Sequence, residues 1–177
     1  ASPATPMVVN MSLSGGASSV FDAAAQNVIA AGVTVVAAAG NAAADACGAS
    51  PARAPNVITV AAAGWSDGFA SFSNHGTCVD LAAPGVGITS AGTGSATALT
   101  DMSGTSMAAP HVAGAAALYL SANPSATPAQ VTSALVGNAS AGVISGAPAG
   151  TPNKLLNVAF LGGPAPVTTT TTVLANA

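Results

Sequence analysis

Residues 7–41 read MVVNMSLSGGASSVFDAAAQNVIAAGVTVVAAAGN, and three consecutive signals in this stretch decide the fold class. Met7 to Leu13 is a short run of apolar and β-tolerant residues closed by Ser14-Gly15-Gly16, which reads as a strand ending in a turn. From Ser18 to Ala31 the apolar positions Val20, Ala24, Val28 and Ala31 recur at helical spacing, and Gly32 follows where a helix C-terminus favours a left-handed residue. Val33 to Ala39 is then apolar nearly throughout and stops at Gly40-Asn41. Strand, helix and continuous apolar strand in that order predict an α/β fold: a doubly wound, mostly parallel sheet with helices on both faces.

Further along, Val57 to Ala63 reads as another buried strand, and Gly64 to Gly76 as a polar loop that holds Trp65, Phe69 and Phe72. Met107 to Leu120 reads as a central helix buried in the core. Thr127-Pro128 supplies a cap and a first-position proline for a surface helix over Ala129 to Val136, which Gly137-Asn138 ends. Past Phe160 the composition changes to Gly162-Gly163-Pro164-Ala165-Pro166 and then to the threonines at 168–172. The chain therefore divides into one folded domain over residues 1–160 and a Gly/Pro/Thr-rich linker or tail over 161–177.

Composition narrows the function classes. Of 177 residues half are apolar, enough for one sizeable core. Arg53 and Lys154 are the only fixed cations, against five aspartates, so no basic patch exists to hold nucleic-acid phosphates. Met107 to Leu120 is interrupted by Pro110, His111 and Gly114, so no membrane span is expected. Ala1 to Pro6 has neither the basic nor the apolar region of a signal peptide; any such segment is expected upstream or already removed. Cys47 and Cys78 are either two free thiols or one bridge. A bridge would close a loop of about 30 residues, contribute roughly 3–4 kcal/mol in the chain-entropy model, and imply an oxidising compartment.

The chemistry concentrates in Gly104-Thr105-Ser106-Met107-Ala108-Ala109-Pro110-His111-Val112-Ala113-Gly114. A serine in the first turn of a helix has its oxygen near unsatisfied N–H groups and the positive end of the helix dipole, which favours developing negative charge. Gly104 is expected to permit a tight turn into the helix, and Pro110 to fall near the first turn, where a missing N–H costs least. A lone serine here would be only a cap. Asn41 directly follows the apolar strand Val33 to Ala39, so its amide stands at the carboxyl end of a parallel strand, where open α/β sheets place their ligands.

These eleven residues, together with Ala38-Ala39-Gly40-Asn41 and Ser12-Leu13-Ser14-Gly15-Gly16, resemble the subtilisin-like serine proteases over residues 7 to about 159. The resemblance implies that Ser106 is the nucleophile and that Asn41, with the Ser106 N–H, holds the oxyanion. It further implies that Ser12, Leu13, Ser14 and Gly15 pair with an extended polypeptide substrate, facing a roomy apolar pocket walled by Ala38, Ala39 and Gly40. Ser14 stands where the family usually has glycine, which puts bulk beside the groove. The segment Ser71 to Gly85 is similar to the proteinase K and aqualysin-like branch. That likeness favours a Cys47–Cys78 disulfide, an extracellular, secreted protein, and a structural Ca2+ held by Asp80 and the carbonyls of Pro55 and Val57. No organic cofactor is implied, and the complete enzyme is expected to be a monomer.

A serine nucleophile needs a base that is itself oriented by a third group. Of the two histidines, His111 lies about 140° around the helix from Ser106 and reads as a core residue. His75, in Asn74-His75-Gly76-Thr77, imitates the family's catalytic His-Gly-Thr-His, yet its neighbours match a later, non-catalytic loop. No aspartate sits in the family's Asp-(Ser/Thr)-Gly context. The resemblance thus implies that the catalytic Asp and His, with the N-terminal strands of the sheet, belong to a missing upstream portion of the same domain. This chain alone should then be nearly inactive. The rival reading is a secreted, non-catalytic peptide-binding module that keeps the fold and groove; a chance Ala/Gly/Thr-rich surface protein is disfavoured by three ordered matches.

Overall fold

A computed structural model describes residues 5–162. In chain order its elements are β1 (Val8–Met11), β2 (Gly15–Gly16), α1 (Ser19–Ala30), β3 (Thr34–Ala38), β4 (Ala49–Ser50), β5 (Ile58–Ala63), β6 (Leu81–Pro84), β7 (Ile88–Ala91), β8 (Leu99–Met102), α2 (Thr105–Ala122), α3 (Pro128–Gly137), β9 (Ser140–Ala141) and β10 (Lys154–Leu155). The main sheet runs β1-β3-β5-β6-β10-β9; every pairing is parallel except β9 on β10. This is the predicted doubly wound, mostly parallel α/β sheet.

Alternation along the strands sorts the core into two layers. Val36 and Ala38 of β3 join Ile58, Val60 and Ala62 of β5 under α2 and α3. Val35 and Ala37 turn the other way, toward Ala25, Val28 and Ile29 of α1. All of β3 and β5 is buried, which is why their sequences carry no polar alternation. Each valine or isoleucine so buried contributes about 1.5–3 kcal/mol relative to exposure. The helix starts follow their sequence signals: the Ser18 hydroxyl accepts from the Phe21 N–H at 3.3 Å, and Thr127 and Gln130 form a capping box. The last turn, Ala159–Leu161, still packs Leu161 against the core, at the place where the tail was expected to begin; the rest of that tail, from 163, lies outside the described residues.

One surface differs from the sequence expectation. The sequence predicts a central helix buried in the core, but only the sheet side of α2 is buried: Ala108, Ala109, Val112, Ala115 and Ala116 are enclosed, whereas His111, Gly114, Ala117 and Leu118 are exposed. His111 is therefore no core histidine; its Nδ1 sits 2.8 Å from the Met107 carbonyl, one turn back. β1 pairs with β3 from Val8↔Thr34 to Met11↔Ala37, and among the described residues its other edge meets no strand. Cys47 and Cys78 form a disulfide, which ties the short turn Ala46–Gly48 to the approach to β6.

Candidate active site

The carboxyl ends of the parallel strands deliver the site. The chain leaves β3 into Gly40-Asn41 and leaves β1 into Ser12, while α2 brings its first turn to the same place. Ser106 is the second residue of α2, half-buried, and its Oγ donates to the Ser12 carbonyl at 3.1 Å. Thr105, fully buried, fixes the asparagine. Its N–H and its hydroxyl both donate to Asn41 Oδ1, at 2.8 and 2.9 Å, and its Oγ1 accepts from the Gly40 N–H at 3.1 Å.

With Oδ1 committed in this way, Asn41 Nδ2 is left as a donor. Among the described residues neither it nor the Ser106 N–H has a hydrogen-bond partner. Both flank one spot: a Cβ placed on Gly104 would lie 3.4 Å from Asn41 Nδ2 and 3.6 Å from Ser106 N. Gly104 itself is extended, at φ 160, so no tight turn demands glycine there. Its use is room beside the two donors, which corrects the expectation. Two free donors converging beside a serine hydroxyl, at the positive end of an 18-residue helix, form an arrangement suited to holding an oxyanion.

Asn74 shapes the loop that carries Asn41. Nearly fully buried, it accepts from the N–H groups of Ala42 and Ala44 at 3.0 and 3.1 Å, and donates through Nδ2 to Ala39 O at 2.9 Å. Its own N–H reaches Gly40 O at 2.8 Å. Gly40, at φ +108, has no room for a side chain: a Cβ there would stand 2.4 Å from Asn74 Nδ2 and 2.9 Å from Ser14 Oγ. Sequence reasoning assigned no role to Thr105 or Asn74, although both lie inside the quoted segments; their partners sit 30 or more positions away in sequence, and no local signal marks them.

A cavity of about 640 Å³ opens beside Ser106 and Asn41, with Ser14, Gly15 and Ala38 on its walls. Neither Gly40 nor Ala39 walls the cavity, and Ala39 packs into the opposite core layer. Its lining is mixed rather than apolar, since Asp45 and Asn74 also contribute. Ser12, Leu13 and Ser14 are exposed, and among the described residues the main chain of Leu13 and Ser14 has no hydrogen-bond partner. Gly15 and Gly16 are already paired, with Ser50 and Ala49. His75 is held by its backbone to Ala44 and Ala46 and does not line the cavity; nor does His111.

Asp80 lies apart from this centre. Its Oδ2 accepts from the Thr59 N–H at 2.8 Å, and burial pushes its carboxyl above the usual range, only partly offset by that N–H and by the charge of Lys154. Between Pro55 and Val57 the chain turns through Asn56 at φ 65. Among the described residues no three His, Cys, Asp or Glu side chains cluster to hold a metal.

The model of the Subtilase family matches residues 1–162. The "Extracellular serine proteinase" of Thermus sp. (strain Rt41A) is 57% identical over 155 residues, which is 88% of this chain and 38% of that protein. The "Alkaline serine exoprotease A" of Vibrio alginolyticus is 48% identical, over 85% of this chain and 28% of its own length. A solved cold adapted subtilisin-like serine proteinase superposes with a TM-score of 0.82 at 50% identity, covering 88% of this chain and 56% of that one. The chain thus spans well under two thirds of these relatives. A parallel sheet that delivers Ser106 and Asn41 to one cavity, and a family match running almost its whole length, place this chain in the subtilase family.

Proposed function

We propose that this chain is the nucleophile-bearing portion of a secreted serine endopeptidase. Ser106 Oγ, giving its proton to a general base, attacks the scissile carbonyl carbon; Asn41 Nδ2 and the Ser106 N–H receive the oxyanion, and the C–N bond then breaks to release the amine, which takes up the proton, and leave an acyl-enzyme. The observation that carries this reading is the pair of unpartnered donors beside the serine hydroxyl. An extended polypeptide would add as a strand to the unpaired main chain of Leu13 and Ser14 and place one side chain in the cavity beside Ala38. The extracellular names of relatives and the Cys47–Cys78 bridge support secretion.

The general base and the group that orients it come, in this reading, from a portion of the same domain outside this chain. Three observations support that: Ser106 Oγ reaches only a backbone carbonyl, the free edge of β1 awaits a strand, and α2 exposes a face of small and apolar residues. A buried carboxylate short of countercharge, bonded to the Thr59 N–H just after the left-handed residue Asn56, also suits a hard divalent cation. We assign Asp80 and the Pro55 and Val57 carbonyls as candidate ligands for a structural Ca2+, which would supply stability and no step of the reaction.

A fluorophosphonate probe applied to the full-length protein tests the reading. Covalent labelling that maps to Ser106 and disappears in Ser106→Ala is expected. A folded full-length protein that takes no label at Ser106 would instead support the non-catalytic peptide-binding module.

A further inference from the structure

The Ser106 main-chain carbonyl lies in the first turn of α2, where the N–H of residue 110 would normally bond to it. Residue 110 is proline and has none. Proline here is past the first turn, so its missing donor does leave a carbonyl free, contrary to the sequence expectation. That carbonyl accepts instead from the Ser12 hydroxyl at 2.7 Å, while Ser106 Oγ donates to the Ser12 carbonyl at 3.1 Å. Asn10 Nδ2 donates to Ser12 Oγ at 2.9 Å, occupying a lone pair and leaving the hydroxyl proton for residue 106.

We propose that Ser12, through a gap that Pro110 creates, is a positioning residue for the nucleophile; this rests on the peptidase reading. The two reciprocal bonds hold residue 106 by its side chain and by its main chain, and so register its N–H against Asn41 Nδ2. Once a base takes the Ser106 hydroxyl proton, the bond from Ser106 Oγ is given up. The bond from Ser12 to the main chain persists and keeps the oxyanion donors in place through the reaction. Ser12 also belongs to the substrate-binding stretch, so the strand that grips substrate and the helix that carries the nucleophile are fastened at one residue. Displacing a reacting group by about 1 Å costs up to about 10² in rate, so such a fastening acts on turnover rather than on substrate affinity.

The test is a mutant cycle in the full-length protein, with steady-state kinetics on a chromogenic peptide. Ser12→Ala should lower kcat about tenfold and leave KM within about twofold. Ser12→Thr, which keeps the hydroxyl, should recover most of that loss. Pro110→Ala restores the helical N–H to the Ser106 carbonyl; it should lower kcat modestly, and in its background Ser12→Ala should cost about threefold or less. Effects that multiply, or a Ser12→Ala change confined to KM, would overturn the proposal. If Ser12→Ala does not fold, Pro110→Ala decides alone: an unchanged kcat overturns the proposal. Failure of wild type to label at Ser106 would defeat the peptidase reading itself, whereas labelled wild type with multiplicative variants defeats only the role of Ser12.

Discussion

Gly40→Ala is the sharpest test of how the Asn41 loop is built. The new Cβ would stand 2.4 Å from Asn74 Nδ2, and the backbone at φ +108 is a region that L side chains rarely adopt. The backbone contributes about 1–2 kcal/mol of strain. To relieve the clash Asn74 must withdraw, which breaks its bonds to Ala39, Ala42 and Ala44, each worth about 1 kcal/mol net. The sum is about 4–5 kcal/mol, and a domain of this size loses about 2–4 °C in Tm per kcal/mol, so the melting temperature should fall by about 8–20 °C. Gly15→Ala serves as the control, since nothing lies within 4 Å of its Cβ position. Calorimetry on the full-length protein reads both. A Gly40→Ala variant that melts within about 2 °C of wild type would refute the reasoning, because it would show that Asn74 is not wedged against residue 40.

Other changes probe the remaining parts. Thr105→Val keeps the shape but removes the acceptor of the Gly40 N–H and one donor to Asn41 Oδ1; kcat on a peptide substrate should fall about tenfold or more with KM little changed. Because burial raises the Asp80 pKa, the charged form weakens the fold: the protonated form's stability is present at low pH and lost as pH rises through the folded value. In a chelator at neutral pH, Asp80→Asn should therefore melt at or above wild type, and the gap should close as pH falls toward the carboxylate range. Added Ca2+ should reverse the order by stabilising wild type alone, and thermal melts with and without Ca2+ that never cross would remove the metal assignment. Replacing both Cys47 and Cys78 by alanine should cost about 3–4 kcal/mol, seen as a fall in the denaturant midpoint, with a somewhat steeper slope because the unfolded chain expands without the bridge.

The parallel core was legible because β3 and β5 are buried on both faces and must be apolar at every position. The meeting of Ser106 and Asn41 at one cavity was legible because each stands in an unbroken local motif. The start of α2 was read two residues late, since Thr105 and Ser106 interrupt the apolar run that marks the helix. The hairpin of β7 and β8 escaped notice because Leu99–Met102 is exposed throughout and shows no alternation. The one-sided burial of α2 was hidden by its composition: Gly114 and Ala117 look outward, yet are as small as the alanines that face the sheet. Thr105 and Asn74 act through hydrogen bonds to residues remote in the chain, which no periodicity reports.

Asn74 grips Ala42 and Ala44 by their backbone alone, so the contour of this rim is stored elsewhere in the chain. The side chains at 42, 43 and 44 are exposed and spare. The rim is therefore open ground for redesign, where new groups can be hung over the cleft while the Asn41 amide stays put. Residue 43, at φ 49, already sits in a conformation that asparagine or glycine adopts more readily than alanine, and marks the natural first place to begin.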